Sequence, residues 1–145
     1  MGFSQALATC FKKKYLTFSG RASRSEFWWF LAFLWGLVIL TGVSGLLLYV
    51  AGAPRGLSKV YVVTFYVFYL IVTPPSITVM VRRFHDINMS GWWALGLSIL
   101  NFIPYLGVIS SLAMLYFTIR KGTSGDNRFG SDPVSTPRHF PIPIT

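Results

Sequence analysis

One short stretch of the sequence holds most of the side chains that could do acid–base or metal chemistry. His85 and Asp86 are adjacent, and an imidazole beside a carboxylate is suited to proton transfer or metal ligation. A metal ion needs more ligands than these two, and the only other histidine, His139, lies far along the chain. General acid–base catalysis needs a positioned pair, which Glu26 could complete only if the fold brought it to this stretch. We therefore expect no catalytic residue, no metal and no cofactor here.

The charges around this pair can be satisfied locally. Arg82 and Arg83 precede Asp86 by four and three residues, a spacing at which side chains on one helix face can form ion pairs. A second polar stretch, residues 120–133, is rich in Gly, Asp and Asn and is typical of linked turns. An internally salt-bridged loop is favoured over a functional pocket. Either would draw on one candidate polar cluster: Glu26, Arg82, Arg83, His85, Asp86, Asn127 and Arg128.

Composition indicates where these residues must sit. The chain has 145 residues, of which 53% are hydrophobic and only 12% are charged, about half the charged fraction of an average soluble domain. This composition argues against a soluble monomer. The net charge of +9 then indicates anionic lipid headgroups and loop orientation, and nucleic-acid binding is not expected.

Three long stretches carry no charged residue, and they predict membrane helices. The first predicts a span over 27–50, and the second predicts a span over 60–81 with a kink or break at Pro74-Pro75. The third, after Trp92, could be one kinked span or two short arms, 92–103 and 105–119. The predicted fold class is therefore an all-α membrane protein, a small bundle of about four membrane helices.

The positive charges favour the two short arms. If the third stretch turns back near Pro104, every Lys and Arg except Arg55 and Lys59 falls on one side of the membrane. A single crossing would leave almost no bias between the two sides. By the positive-inside rule we expect a hairpin, with both termini in the cytoplasm.

The N-terminal segment predicts an amphipathic helix over 3–18, with aromatic and aliphatic residues every three or four positions. An interfacial helix on the inner leaflet is favoured over a helix that packs against the bundle from below. We expect a single membrane domain over 1–133, followed by a flexible cytoplasmic tail, 134–145. The candidate contacts for lipid headgroups are basic residues near the predicted membrane surface: Lys12, Lys13, Lys14, Arg21, Arg24, Arg120 and Lys121.

Three motifs together resemble a known family. They are the run from Phe18 to Trp28, the run from Arg82 to Trp93, and the run from Gly122 to Pro133. Their order and spacing are similar to those of the YhaH-like bacterial inner-membrane proteins, a domain of unknown function. The resemblance implies a multi-pass protein of the bacterial inner membrane and supplies no activity, substrate or cofactor. Ser124 and Asp126 depart mildly from the family pattern, which usually has Glu at the second position.

Function is the least determined property. A non-enzymatic membrane interaction or scaffold protein is expected, with anionic lipids and a membrane-protein partner or a second copy of the chain as candidate partners. The alternative is a subunit of an oligomeric transporter or channel, because transporters use interrupted helices and the chain has prolines inside apolar stretches. An interfacial enzyme would require Glu26 and Asp86 to meet.

Overall fold

The computed structural model describes residues 1–134, so nearly all of the predicted tail lies outside the described residues. Within that range the fold is all-helical, which confirms the predicted class. After α1 a short π-helical stretch covers Thr9–Lys13. The five α-helices are α1 (Phe3–Ala8), α2 (Arg24–Val50), α3 (Arg55–Asp86), α4 (Gly91–Leu100) and α5 (Leu106–Ile119).

The chain divides into two compact units. The first unit contains residues 1–18 and 25–80, and the second contains residues 19–24 and the chain from Val81 onward. The second unit thus contains the last six residues of α3, the whole of α4 and α5, and the stretch that leads to the first residue of α2.

In the first unit, α2 and α3 are both long and apolar enough to cross a membrane. Most of their large apolar side chains are exposed, Leu40 and Leu70 among them. Exposed apolar surface on this scale is costly in water and favourable in lipid. Their lengths, 27 and 32 residues, exceed the roughly 20 residues that the hydrocarbon core requires.

The N-terminal segment packs against α2. The ring of Phe11 lies 5.6 Å from that of Phe30 and 5.7 Å from that of Phe33. Cys10 and Glu26 are both buried, with the thiol sulfur 3.9 Å from a carboxylate oxygen. The helical turns end at Lys13, earlier than predicted, because the backbone leaves the helical region at the next residue. The segment thus contacts the first turns of α2, and its depth in the membrane stays a prediction.

Helix α3 runs unbroken through Pro74 and Pro75, so of the predicted kink or break the break does not occur. Pro75 has no N–H to give to the carbonyl of Ile71, one turn earlier. The Tyr15 hydroxyl donates to that carbonyl oxygen at 2.6 Å. A side chain from the N-terminal segment thus replaces the hydrogen bond that the proline removes, which is how membrane helices tolerate proline.

In the first unit, the Tyr61 side chain of α3 joins this helix to α2. Its hydroxyl donates to the carbonyl of Thr41 and lies 3.1 Å from the Ser44 hydroxyl. A Cβ on Gly45 would come within 3.2 Å of the Tyr61 ring, so a residue without a side chain permits this close approach.

In the second unit, α4 and α5 form the predicted hairpin. The amide of Asn101 donates to the carbonyl of Leu97 at 3.0 Å and contacts the Ser110 hydroxyl at 3.4 Å. Its oxygen accepts from the Ser111 hydroxyl at 2.6 Å. A Cβ on Gly107 would lie 2.8 Å from the Asn101 carbonyl oxygen, which explains glycine at this position. These bonds exclude a single kinked helix over residues 92–119.

Candidate functional site: a buried polar cluster

The last turn of α3 presents Asp86 to two arginines. Asp86 Oδ1 accepts from Arg21 Nε at 2.9 Å, and its Oδ2 accepts from Arg83 Nη1. The Asp86 side chain is only 6% exposed, and those of Arg21 and Arg83 are 1% and 0% exposed. Buried ions persist in a fold when they are paired and hydrogen-bonded, as these three are.

Each arginine also binds main-chain carbonyls at the C-terminal side of the hairpin. Arg21 donates to the carbonyls of Thr123 and Gly125. Arg83 donates to the carbonyl of Thr118 at 3.0 Å and to that of Arg120. A guanidinium carries five N–H groups in a fixed plane, so one side chain can hold a carboxylate and two carbonyls together.

Residues 122 and 123 close over the end of α3. The backbone N–H of Thr123 donates to the Asp86 carbonyl at 2.9 Å, and its hydroxyl donates to the same oxygen at 3.1 Å. A Cβ on Gly122 would overlap the Asp86 carboxylate. The glycine is therefore required for the chain to pass this close to the carboxyl group.

His85 occupies the other side of this last turn. Its ring is stacked on that of Phe129, with centroids 3.9 Å apart and planes within 3°. Its Nδ1 lies 3.2 Å from the Gly20 carbonyl oxygen, which can only accept, so the proton is on Nδ1. His85 follows the charge-free stretch that predicts the span, and it lies outside that span. Burial lowers the pKa of His85 and the Arg128 charge lowers it further, while the Gly20 bond opposes both.

The Asn127 side chain joins the last turn of α3 to Thr123. Its amide donates to the His85 carbonyl at 2.9 Å and to the Thr123 hydroxyl at 2.9 Å. Arg128 donates to the Asn88 carbonyl at 3.0 Å, with its guanidinium over the Phe129 ring. The second and third motifs and the first half of the first motif thus meet in the second unit.

The predicted cluster residues divide between the two units. Arg83, His85, Asp86, Asn127 and Arg128 meet in the second unit as described above. Arg82 is fully buried at the same turn, and its carbonyl accepts from the Ala22 N–H at 3.0 Å. Glu26 belongs to the first unit, where it is buried beside Cys10.

One predicted headgroup contact is corrected. Arg21 is 4% exposed, because its guanidinium is held by Asp86 and two carbonyls inside the cluster. Lys14 is half-buried. The other predicted contacts are exposed: Lys12, Lys13, Arg24, Arg120 and Lys121.

Sequence reasoning missed three members of the cluster. Arg21, Gly122 and Thr123 contact Asp86 across large separations, 65 residues in the case of Arg21, so no local spacing reveals them. The available signal was that all three belong to the motifs that carry the family resemblance.

The arrangement is suited to holding chain segments together. Both oxygens of Asp86 accept from arginine, and the proton-bearing nitrogen of His85 donates to a carbonyl. Within residues 1–134, no three His, Cys, Asp or Glu side chains come together in a way that could hold a metal ion.

The chain has clear relatives. A family described as "Protein of unknown function (DUF805)" matches residues 15–131, which include the first two motifs and the third as far as Ser131. Inner membrane protein YhaI of Escherichia coli (strain K12) is 36% identical over 121 residues, covering 83% of this chain and 89% of that protein. Inner membrane protein YhaH of the same strain is 38% identical over 125 residues, covering 86% of this chain and 93% of that protein. No solved structure matches the chain.

The match confirms the predicted resemblance and gives the apolar helices their setting. Two relatives covered over most of their length are inner membrane proteins, and α2 and α3 have the length and composition that a membrane requires. The chain therefore belongs to the DUF805 family and is, like these relatives, an inner membrane protein.

Proposed function

We propose that this protein is a non-enzymatic scaffold of the inner membrane, whose cytoplasmic side binds anionic phospholipid headgroups. The proposal is carried by one observation, the contrast between two pairs of basic residues. Arg21 and Arg83 are bonded to partners inside the cluster. Arg120 and Lys121, which lie beside the cluster, are exposed. The buried charges hold the fold together and the exposed charges are available to lipid.

The hydrogen bonds of the cluster support the topology in this proposal. Arg21 bonds to residues 123 and 125, and Arg83 bonds to residues 118 and 120. Segments joined by direct hydrogen bonds share one side of a membrane. They carry far more positive charge than the turn between α2 and α3, and the positive-inside rule assigns that side to the cytoplasm.

Exposed groups at the base of the hairpin support headgroup binding. Trp92 and Trp93 are 77% and 59% exposed at the start of α4, and tryptophan favours the membrane interface. Arg120 and Lys121 follow α5, and Arg83 holds the Arg120 carbonyl. A basic residue near an anionic membrane surface contributes about 1 kcal/mol, so this pair could raise the affinity for anionic lipid by an order of magnitude or more.

The test compares phosphatidylglycerol with phosphatidylcholine on the purified full-length protein in detergent micelles. A lipid that binds only the folded state raises the apparent melting temperature. We expect phosphatidylglycerol to raise it more than phosphatidylcholine does. The difference should shrink severalfold in the double variant Arg120→Gln, Lys121→Gln.

The matched control is Arg55→Gln, Lys59→Gln, which removes two exposed charges at the start of α3. It should retain the preference for phosphatidylglycerol. Equal losses in the two double variants would mean that only net charge matters, and a wild-type protein without any preference would refute headgroup binding.

A transporter subunit is supported less well. That alternative drew on helices interrupted at Pro74-Pro75 and at Pro104. Helix α3 is continuous through the first pair, and Tyr15 supplies the missing hydrogen bond. Only the turn between α4 and α5 remains as an interruption. Purified protein in vesicles that moved an ion or solute across the bilayer would restore this alternative.

A further inference from the structure

We infer that the α4–α5 hairpin enters the membrane from the cytoplasmic side, turns within the hydrocarbon and returns, so that its partners are the acyl chains of one leaflet. The side of entry rests on the topology proposed above, whereas the depth of the hairpin is independent of headgroup binding, because it rests on the length, the turn and the two ends of the hairpin.

The hairpin is too short to cross a bilayer. Helix α4 has 10 residues and α5 has 14. At 1.5 Å per residue they reach about 15 Å and 21 Å, whereas the hydrocarbon core is about 30 Å thick. Arms of this length reach about the middle of the membrane.

Hydrogen bonds join the two ends of the hairpin to each other. Arg83, before α4, donates to the carbonyls of Thr118 and Arg120 at the end of α5. The backbone N–H of Thr123 donates to the carbonyl of Asp86. Neither end can move across the membrane without the other, so both arms start from the same surface.

The turn has the surface of a segment immersed in lipid. Phe102 is 88% exposed and Tyr105 is 90% exposed, with the apolar side chain of Ile103 between them. No charged residue occurs between Asp86 and Arg120. The turn between α2 and α3 differs, because Arg55 and Lys59 follow it closely.

Polar groups in the hydrocarbon must find partners inside the protein, and five backbone N–H groups and one side-chain amide of the turn do so. The backbone N–H groups of residues 101, 102, 103, 106 and 107 each donate to a carbonyl within the hairpin. Pro104 has no N–H to satisfy. The Asn101 side chain binds the Leu97 carbonyl and the hydroxyls of Ser110 and Ser111.

Cysteine accessibility tests the inference in cells. In a Cys10→Ala background, Phe102→Cys places a thiol at the tip of the hairpin, and Ala51→Cys places one at the exposed turn after α2 as a matched control. A membrane-impermeant maleimide is added to spheroplasts and to inverted membrane vesicles. Ala51→Cys should react in spheroplasts, and Phe102→Cys should react in neither preparation, although both react after denaturation in SDS.

Reaction of Phe102→Cys in spheroplasts at a rate within about tenfold of Ala51→Cys would show that the hairpin crosses the membrane. Its reaction in inverted vesicles would show that the hairpin lies on the surface. Either result overturns the inference. If Phe102→Cys does not accumulate, Ile103→Cys takes its place in the same assay.

A depth measurement gives a second, independent readout. A fluorophore on the tip cysteine, in vesicles of brominated phosphatidylcholine, should be quenched most by bromines near the ends of the acyl chains. The same fluorophore on Ala51→Cys should be quenched least by them. Identical quenching profiles at the two positions would contradict the inference.

Discussion

Arg21 Nε lies 2.9 Å from Asp86 Oδ1, and this ion pair joins the segment just before α2 to the last residue of α3. The same carboxylate accepts from Arg83, so one negative charge neutralises two buried positive charges incompletely. The carbonyls of four later residues complete the coordination of the guanidinium groups. The cluster therefore depends on Asp86 more than on any other single side chain in it.

Replacing Asp86 with Asn should destabilise the protein strongly. The change leaves two buried guanidinium groups without a counter-charge, and losing one partner of a buried ion pair costs about 3–5 kcal/mol. The free energy of unfolding, measured in mixed detergent and SDS micelles, checks this. The control Asp126→Asn alters an exposed carboxylate and should cost less than about 1 kcal/mol. A loss as small for Asp86→Asn would mean that the cluster does not stabilise the fold.

Tyr15→Phe should cost about 1 kcal/mol, the net value of one hydrogen bond, because it leaves the Ile71 carbonyl without the donor that replaces the missing N–H of Pro75. Pro75→Ala restores that N–H. In the Pro75→Ala background, Tyr15→Phe should therefore cost close to nothing, and a double-mutant cycle in the same micelles measures the coupling. Additive costs would show that the hydroxyl acts elsewhere. Tyr66→Phe, at an exposed position on α3, is the control.

Gly122→Ala should destabilise the second unit, because the new methyl group would collide with the Asp86 carboxylate. Overpacking of this kind costs about 1–3 kcal/mol. Gly96→Ala is the matched control: its Cβ would meet open space inside α4, and alanine favours a helix by about 0.5–1 kcal/mol relative to glycine. The two variants should shift the melting temperature in opposite directions, and equal shifts would contradict the packing around Gly122.

Stability should fall as the pH drops below about 6.5, the ordinary pKa of histidine. The pKa of His85 is lowered in the folded protein, chiefly by burial. Between the folded and unfolded pKa values the unfolded chain binds more protons, so acid favours unfolding through this window. His85→Gln should remove that part of the pH dependence. An imidazole titration followed by NMR that gave His85 a pKa above 6.5 would contradict the prediction.

The helices could be predicted because charge is excluded from them. The predicted span 27–50 ends where α2 ends and begins three residues after it, and the predicted span 60–81 lies inside α3, five residues from either end. The balance of Lys and Arg favoured a hairpin over a single crossing. Asn101 then makes the hairpin specific, through bonds to residues on both of its arms.

The contacts between distant segments could not be predicted. Local rules predicted a kink or break at Pro74-Pro75, because the hydroxyl of Tyr15, which replaces the missing donor, lies 56 residues before the carbonyl it binds. They assigned Arg21 to lipid, because its carboxylate partner is 65 residues away. Spacing within one helix identified the pairing of Arg83 with Asp86, which are three residues apart.

The separation of the groups around Arg21 also sets an order of events during synthesis. Arg21 binds the carbonyls of Thr123 and Gly125, which lie 102 and 104 positions later in the chain. The cluster cannot close until α5 and the residues after it have left the ribosome. A chain released at Ile119 would contain α2 to α5 but would lack the carbonyls that Arg21 binds and one of the two that Arg83 binds. Closure of the cluster therefore requires the chain to have been made as far as Gly125, beyond the end of α5.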